Sequence, residues 1–439
     1  MDNQVEKFMV KTLANKVSHL ERKIKELENS RSWKITSPLR FIKKKITSPL
    51  RFIKNISKSQ SDKSTIDESS VIIENFINNI NKSDKPLYIL FSHEFSNTGA
   101  PNVLLQLGKQ IKKMKLGDVA FVSHRGIEML ESFNSVSPSI VIGDDSGSLI
   151  VDLDKLIDQI ESRFSNVRYV LNTVAMSFVA TKLSSKGLKF FSWIHELPVS
   201  WNILGIENVK NQVLLSEFNF VDSALIAESL KATFPQVEHK LAFVNNALDL
   251  NFEIIDQSIV KQKLSVPENF ILISILGTRQ PRKGFDFLPF LINELSKRGY
   301  NNGEFCVVWV GLPIYLESEL FIIDELKKLQ LENNYRMFPA SEEFQSIINA
   351  SNLILSLSRE DSNPQVLTFA EYLGKPILKL NDLYSQNNLS WQDNLILLID
   401  KIESNTWVHI ESNRANKKHI AQWSEVTTEI LKKIDSFYE

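Results

Sequence analysis

The chain has one cysteine and no long apolar run. Cys306 lies in the apolar stretch "EFCVVWVG", which excludes a disulfide framework and predicts a buried thiol in a reducing compartment. No run of about 18 apolar residues occurs, which excludes an ordinary transmembrane helix. The N-terminal residues also lack the apolar core of a secretory signal, so we expect no secretion.

Motifs for several common chemistries are also missing. No His/Cys cluster indicates zinc, and neither a Gly-x-Ser-x-Gly elbow nor a Walker loop is present. An Asp-x-Asp sequence does occur at 152–154, but it opens the amphipathic pattern "VDLDKLIDQI" and predicts a helix cap. We therefore expect neither a metal nor a cofactor.

Charge is divided unevenly along the 439 residues. Residues 1–60 hold 15 Lys/Arg and 5 Asp/Glu, whereas the remainder holds 36 and 47. A basic arm on an acidic body predicts an anionic partner for the arm alone. The length favours two domains with appendages.

The first part of the arm has an apolar heptad pattern. The pattern predicts a parallel coiled coil that forms a homo-oligomer through residues 10–27, with a single amphipathic helix on the chain's own body as the alternative. Its a and d positions are Val10, Leu13, Val17, Leu20, Ile24 and Leu27.

A basic repeat follows. "ITSPLRFIK" at 35–43 recurs unchanged at 46–54, and residues 31–58 contain nine basic residues and no acidic one. Apolar and aromatic residues mixed with Lys/Arg in short Ser-Pro-initiated helices predict an anchor on an anionic membrane surface. A nucleic-acid contact and a solvated linker are the alternatives; since no nucleic-acid-binding module accompanies the segment, we expect no nucleic-acid partner.

From residue 85 onward, short apolar strands alternate with amphipathic helices. The strands begin with "PLYILFSHEF" and a second series begins with "NFILISILGT". This alternation predicts an α/β protein with two doubly wound, Rossmann-like halves facing a cleft, and ligands at the carboxyl ends of the strands. The stretch "FVDSALIAES" is included among the strands. The predicted segments are a coiled-coil helix (1–30), the basic repeat (31–58), a flexible linker (59–84), an N-terminal domain (85–246), a C-terminal domain (247–420) and a closing helix (421–439).

Five stretches occur along the body in the order "SHEFSNTGAP", "WIHEL", "NNALD", "GTRQPRKGFD" and "LSREDSNPQVLTFAEYLGKPIL". Through them, residues 85–435 resemble the group 1 family of GT-B glycosyltransferases, which are retaining and metal-independent. The segment "SRSWKITSPLRFI" also looks like one that precedes such domains in bacterial surface-polysaccharide enzymes. The resemblance implies transfer of a sugar from a nucleotide donor.

The basic turn "GTRQPRKG" is the first predicted part of the site. Departure of the nucleotide places negative charge on a diphosphate, which Arg282 and Lys283 are suited to stabilise. The resemblance implies that Lys283 contacts the diphosphate. The predicted donor residues are Gly277, Arg279, Arg282, Lys283, Glu360, Asp361, Gln365, Val366 and Leu367.

The family carries two glutamates separated by seven residues, which hold the donor sugar and the ribose. The register set by Ser358 and "GKP" places Asp361 at the first position and Phe369 at the second. We expect Asp361 to hold the sugar and the ribose contact to be weakened, and Glu371 lies about 200° further round the helix.

The acceptor side is predicted at the ends of the first-half strands and at the "NTGAP" turn. At His195 we expect a neutral imidazole that bonds the reacting hydroxyl. The predicted catalytic residues are His195, Arg282, Lys283 and Asp361, and the acceptor-side residues are His93, Thr98, Gly99, Ala100, Asn172, Thr173 and Glu196.

The sequence thus predicts a cytoplasmic glycosyltransferase, peripheral on the inner face of the cell membrane, that acts on a lipid-linked or polymeric saccharide in cell-surface polysaccharide synthesis. One alternative is a catalytically silent GT-B subunit that scaffolds a partner enzyme, an alternative favoured by Phe369. Another is a nucleotide-sugar epimerase of the same fold.

Overall fold

A computed structural model describes residues 68–144, 148–245, 247–248, 250, 252–313, 316–341, 343–386, 389–404 and 421–438. The coiled-coil and membrane-surface predictions, for 10–27 and 31–58, lie outside these ranges. The chain divides into two compact units. Unit 1 holds the described residues of Met1–Lys82, together with Glu94–Ser96 and Ala120–Ser165; unit 2 holds Ser83–His93, Asn97–Val119 and the described residues of Asn166–Glu439.

The first series of strands is parallel. In unit 2 the strand order is β1-β4-β5-β6-β7, and in unit 1 β2 pairs with β3 from Phe121↔Ser139 to Ser123↔Val141. All six residues of β4 are buried, which explains why its apolar residues Tyr169, Val170 and Leu171 follow one another without a polar residue between them. The strands are β1 (Leu87–Glu94), β2 (Asp118–Arg125), β3 (Ser139–Val141), β4 (Val167–Asn172), β5 (Phe190–Ile194), β6 (Asn219–Val221) and β7 (Leu241–Phe243).

Helices connect these strands, and their caps are visible in the sequence. The Asp152 side chain accepts a hydrogen bond from the Lys155 N–H, so the Asp-x-Asp sequence caps a helix as predicted. The strand prediction for "FVDSALIAES" is wrong beyond Val221, because Ser223 accepts from the Ile226 N–H and starts a helix. The helices are α1 (Glu68–Asn79), α2 (Gly99–Lys113), α3 (Leu130–Asn134), α4 (Leu153–Arg163), α5 (Ser177–Ser185), α6 (Pro198–Leu204), α7 (Ile206–Leu215) and α8 (Ala224–Thr233).

The second series of strands forms another parallel sheet. Its order is β11-β10-β9-β12-β13, and β8 pairs separately with β14. Its core surrounds Trp309 and Phe285, whose rings meet edge to face at 5.2 Å. The strands are β8 (Ala247–Leu248), β9 (Ile271–Leu276), β10 (Phe305–Val310), β11 (Tyr335–Phe338), β12 (Leu353–Ser356), β13 (Ile377–Lys379) and β14 (Ala421–Gln422).

Helices again accompany this sheet. The last of them is the predicted closing helix, which begins with a capping box formed by Gln422 and Glu425. They are α9 (Gln257–Lys263), α10 (Leu288–Lys297), α11 (Leu316–Lys328), α12 (Phe344–Ala350), α13 (Gln365–Tyr372), α14 (Leu380–Gln386), α15 (Trp391–Glu403) and α16 (Trp423–Asp435).

Cys306 lies on β10 and is fully buried, as predicted. Burial raises the pKa of its thiol to about 11, so the thiol stays protonated near neutral pH. Among the helices of the described ranges, none combines the length and the apolar character that crossing a bilayer requires.

Candidate functional site

The basic turn follows β9 and depends on a glycine. Pro281–Lys283 form one turn of 3₁₀ helix, which ends at Gly284 with φ +76° and ψ +24°. A Cβ at Gly284 would lie 2.2 Å from the carbonyl oxygen of Leu357. Only glycine permits this approach, which holds the turn against the segment that follows β12.

Lys283 and Asp361 form an ion pair between Nζ and Oδ2, and their side chains are 16% and 19% exposed. Asp361 also accepts a hydrogen bond from Ser358 Oγ at 3.3 Å. Burial lowers the pKa of Lys283, and the nearby carboxylate of Asp361 opposes that effect. The structure therefore brings together the predicted diphosphate-binding lysine and the predicted sugar-binding carboxylate.

A small pocket adjoins this pair. It includes two of the predicted donor residues from the first turn of α13, Val366 and Leu367, and Gln365 is the first residue of that helix. Gly277 lies beside the aliphatic part of the Lys283 side chain: a Cβ placed at Gly277 would lie 3.9 Å from Lys283 Cε. The pocket is lined by Ile275, Leu276, Lys283, Trp309, Ile354, Leu355, Ser356, Leu357, Ser358, Asp361, Pro364, Val366 and Leu367.

The other predicted donor-side cations have structural partners. Arg279 is buried, pairs with Glu319 at 2.9 Å and donates to the Phe338 carbonyl at 2.8 Å. Arg282 donates from Nη1 to the Glu360 carbonyl oxygen at 2.9 Å. Of the three predicted cations, Lys283 lines the pocket, while Arg279 forms its ion pair and hydrogen bonds in the protein interior.

Glu360 also points away from the pocket. Its Oε1 accepts from the Val199 N–H at 2.9 Å, and its Oε2 lies 3.4 Å from the hydroxyl of Ser200. Both partners belong to the first turn of α6, whose N–H groups have no helical acceptor. The carboxylate of Glu360 thus caps α6, a role that the donor-site prediction did not include.

Phe369 faces an apolar cluster. It is 4% exposed and meets Phe344 edge to face at 5.0 Å and Phe252 at 5.6 Å. Its neighbours in the cluster include Leu248 and Ile348, and Phe369 is not among the residues that line the pocket. The phenylalanine therefore completes a core at the position where the resemblance implies a ribose-binding glutamate.

His195 lies directly after β5 and is held on both ring nitrogens. Its Nδ1 lies 3.2 Å from Asp222 Oδ2, and its Nε2 lies 2.8 Å from Asn172 Oδ1. Burial lowers the pKa of His195, but hydrogen bonding and attraction to Asp222, with a smaller contribution from Glu196, raise it overall above its ordinary value. The expectation of a neutral imidazole stays a prediction, and the pairing with Asp222, which the sequence does not show, acts against it by favouring the charged ring.

Thr173, which follows β4, is strained. Its φ of +84° and ψ of +154° lie in a region that is essentially restricted to glycine, and the residue is buried. Its hydroxyl lies 3.5 Å from His93 Nδ1, and Glu196 Oε2 accepts from the N–H of Val174 at 3.2 Å. Strain of this kind persists only where the surroundings fix the backbone, as they do at this edge of the sheet.

The "NTGAP" turn joins the same group. Asn172 Nδ2 donates to the Ala100 carbonyl oxygen at 2.9 Å, and Thr98 is the N-cap of α2. A Cβ at Gly99 would meet nothing within 4 Å, so there is open space beside this first residue of α2. The predicted acceptor-side residues are thus clustered around the ends of β4 and β5.

The segment between β12 and α13 connects the two groups of residues. While Asp361 pairs with Lys283, Ser362 Oγ donates to the His195 carbonyl at 2.8 Å and Asn363 Nδ2 donates to the Asp222 carbonyl at 2.8 Å. Asp222, Ser362 and Asn363 were not predicted. Asp222 directly follows a buried strand, so the strand-end rule that selected Asn172 would also have selected it.

No protein-family model matches the chain. No curated protein matches it either. Solved structures, however, do match it.

HepE from Anabaena, solved in complex with UDP and glucose, is 15% identical, has a TM-score of 0.62 and covers 80% of this chain and 99% of its own. Sucrose-phosphate synthase from Thermosynechococcus elongatus is 12% identical, with a TM-score of 0.63 and coverages of 81% and 99%. WaaG, a glycosyltransferase involved in lipopolysaccharide biosynthesis, is 12% identical, with a TM-score of 0.59 and coverages of 80% and 99%. These likenesses confirm the fold prediction: the chain has the α/β GT-B fold of these glycosyltransferases.

Proposed function

We propose that the chain is a glycosyltransferase that moves a sugar from a nucleotide-sugar donor to a saccharide acceptor. The observation that carries the proposal is the Lys283–Asp361 pair, which lies beside a pocket at the carboxyl ends of β9 and β12 and at the first turn of α13. Strand ends of this kind are where ligands bind in doubly wound sheets.

The chemistry of the pair suits a departing diphosphate. As the bond between the sugar C1 and the phosphate oxygen breaks, negative charge collects on the phosphate. Lys283 supplies a largely desolvated positive charge, and the first turn of α13 presents backbone N–H groups to the same place. A phosphate that replaces Asp361 at Lys283 leaves that carboxylate able to accept hydrogen bonds from the sugar hydroxyls.

The finer features of the proposal come from the sequence. Retention of configuration, metal independence and the absence of a cofactor follow the resemblance to the group 1 family. Uridine nucleotides are the first donors to test, because HepE was solved with UDP and with UDP-glucose. The proposed acceptor is a lipid-linked or polymeric saccharide of the cell surface.

The location and assembly of the protein are also proposals. The basic segment 31–58 supports peripheral attachment to the anionic inner face of the cell membrane, with the catalytic body in the cytoplasm. The heptads of 10–27 support a homo-oligomer. The structural likeness to WaaG, which acts in lipopolysaccharide biosynthesis, supports a role in polysaccharide synthesis.

A panel of nucleotide sugars tests the proposal. Sugar transfer and nucleotide release are measured with UDP-glucose and its relatives for the wild type, for Lys283→Ala and for the control Lys297→Ala, which removes an exposed lysine on α10. A charged hydrogen bond is worth about 1.5–3 kcal/mol, so Lys283→Ala should lower kcat/KM about 10- to 150-fold, while the control stays near the wild type. Turnover that is equal in all three proteins would refute the role of Lys283.

A second candidate function is a catalytically silent GT-B subunit that scaffolds a partner enzyme. The observation that favours it is Phe369, which fills a core and leaves no carboxylate at the ribose position of the resembled family. Calorimetry with UDP and other nucleotides separates the two functions. Absence of both turnover and nucleotide affinity in the wild type would leave the scaffold as the supported function.

A further inference from the structure

Asp222 is a buried carboxylate that the proposed chemistry does not yet use. It lies directly after β6, and its side chain is 10% exposed. Its Oδ2 faces His195 Nδ1 at 3.2 Å, whereas its Oδ1 has no hydrogen-bond partner among the described residues. A buried carboxylate with so few partners depends on a nearby positive charge, and His195 is placed to provide it.

The hydrogen bonds of Asn172 determine where the protons of His195 lie. The amide Nδ2 of Asn172 donates to the Ala100 carbonyl oxygen at 2.9 Å, so its Oδ1 must face the imidazole. The reverse orientation would set two acceptor oxygens against each other. Because Oδ1 only accepts, the His195 Nε2 that lies 2.8 Å from it must carry a hydrogen.

The other ring nitrogen is constrained in the same way. A hydrogen must lie between His195 Nδ1 and Asp222 Oδ2, because two acceptor atoms would repel each other at 3.2 Å, and on the more basic imidazole nitrogen this hydrogen makes the ring an imidazolium. The charged groups that act on the ring are Asp222, from the end of β6, and Glu196, the next residue along the chain. Both are acids, and both favour the imidazolium form.

We propose that Asp222 is a positioning residue that holds His195 as an imidazolium, so that His195 acts on its ligand as a hydrogen-bond donor from Nε2 and not as a base. The consequence for the reaction rests on the proposed function. A sugar hydroxyl that displaces Asn172 Oδ1 would receive the same N–H, and His195 would have no lone pair with which to take a proton from it.

The segment that carries Asp361 supports both members of this pair. Ser362 donates to the backbone carbonyl of His195 and Asn363 donates to that of Asp222, each at 2.8 Å. The imidazole and the carboxylate are therefore fixed at their backbones as well as through the bond between their side chains. This support matches a positioning role, since a displacement of either backbone would separate Nδ1 from Oδ2.

Nitrogen-detected NMR of the histidine-labelled full chain tests the proposal without any substrate. The His195 signals are assigned by their loss in His195→Gln, and the expected result is that both ring nitrogens of the wild type are protonated at pH 7. In Asp222→Asn the titration midpoint of His195 should fall by at least about one pH unit, a tenfold drop in the ratio of charged to neutral ring at a given pH. Asp222→Glu should restore most of the shift.

The control is Glu228→Gln, which neutralises an exposed acid on α8 and should leave the His195 titration unchanged. One protonated ring nitrogen in the wild type at pH 7 would overturn the proposal, as would an unshifted midpoint in Asp222→Asn. The wild-type measurement decides the question even where the Asp222 variant fails to fold.

The pH dependence of kcat/KM provides a second test, which concerns the role of His195 in the reaction. If the chain transfers sugar, the alkaline limb of kcat/KM against pH should move to lower pH in Asp222→Asn and stay in place in Glu228→Gln. An unmoved limb would overturn the donor role of His195 in the reaction. Absence of turnover in the wild type would refute the proposed function, while the NMR titration would still decide the ionisation of His195.

Discussion

At the scale of single residues, the donor side depends on backbone shape as much as on charge. Gly284 has a positive φ, and its α-carbon faces the carbonyl of Leu357 so closely that a methyl group would overlap it. Gly187 has a similar φ of +69°, but a Cβ there would meet nothing within 4 Å. A comparison of alanine substitutions at these two glycines therefore separates two contributions to the loss of stability: the positive φ, which both share, and the steric overlap, which occurs at Gly284.

We expect Gly187→Ala to lower the free energy of unfolding by about 1 kcal/mol through its positive φ alone. Gly284→Ala should cost about 1–3 kcal/mol more, because the added carbon must push the turn away from β12. Urea unfolding of both variants measures the difference. Equal losses would show that the turn carrying Lys283 is not pressed against Leu357.

Phe369 offers a second prediction at this scale. Restoring the family's residue with Phe369→Glu should not improve nucleotide binding, since the side chain points into the cluster of Phe252 and Phe344. It should destabilise the protein by about 3 kcal/mol or more through a buried, unpaired carboxylate. The matched control is Tyr372→Glu, which places the same charge on the same helix at a position that is 37% exposed.

Chemical denaturation and calorimetry with UDP measure the two effects of Phe369→Glu. Tighter UDP binding, with little loss of stability, would show that the glutamate reaches a ribose and that the aromatic cluster is dispensable. Tyr372→Glu should lose much less stability, because its carboxylate remains in contact with water.

The residues that the sequence predicted differ in how local their signals are. The resemblance to the group 1 family and the register of its motifs point to Lys283 and Asp361, and the structure pairs them. Arg279 lies four residues before Lys283 and carries the same charge. The fold is needed to show that Arg279 forms an ion pair with Glu319, which lies far along the chain. The charge state of His195 depends on Asp222 in the same way, so it could not be read from "WIHEL".

At the scale of elements, periodicity predicts most strands and helices, because a buried parallel strand such as β10 is continuously apolar. The failure at "FVDSALIAES" has a local cause. The apolar run continues across Ser223, but the serine side chain bonds the Ile226 N–H and converts the second half of the run into α8. A capping residue in mid-run is therefore stronger evidence than the run itself.

The closing helix α16 supplies the prediction at this scale. Near its end, Asp435 pairs with the buried Arg168 at 3.4 Å and accepts from the Tyr88 hydroxyl at 3.3 Å. The guanidinium of Arg168 also lies 3.3 Å from the ring centre of Tyr438. Asp435, near the end of α16, thus compensates the positive charge of Arg168, which is buried on β4.

Asp435→Asn should lower the free energy of unfolding by about 1 kcal/mol, a value discounted because the aspartate side chain is 38% exposed. The control is Glu429→Gln on the exposed side of α16, which should change stability by less than about 0.5 kcal/mol. Thermal unfolding of both variants measures the difference. Equal stability in the two would mean that Arg168 does not depend on the charge of Asp435.

At the scale of the whole molecule, the body and the arm have opposite net charges. Residues 1–60 carry a net charge of +10, from 15 basic and 5 acidic residues, and residues 61–439 carry −11, from 36 and 47. Such a body is repelled by an anionic bilayer, so any attraction must come from the arm. The sequence predicts this division, because formal charge needs no fold to be counted.

The arm can be tested in the full chain by reversing three of its charges. The triple variant Lys43→Glu, Lys44→Glu, Lys45→Glu removes three lysines from the basic segment. Since each basic residue contributes about 1 kcal/mol at an anionic surface, partition onto vesicles rich in phosphatidylserine should fall at least about 100-fold. Sedimentation with these vesicles measures the change, and vesicles of phosphatidylcholine alone set the baseline.

The matched control makes the same change of net charge on the body, with Lys297→Glu, Lys327→Glu and Lys328→Glu at exposed positions of α10 and α11. If net charge alone governed adsorption, the two triple variants would lose binding equally. A loss confined to the arm variant identifies the basic segment 31–58 as the attachment site, because the two variants change the net charge equally and differ in where the lysines lie. Full binding by the arm variant would refute the attachment of this protein through residues 31–58.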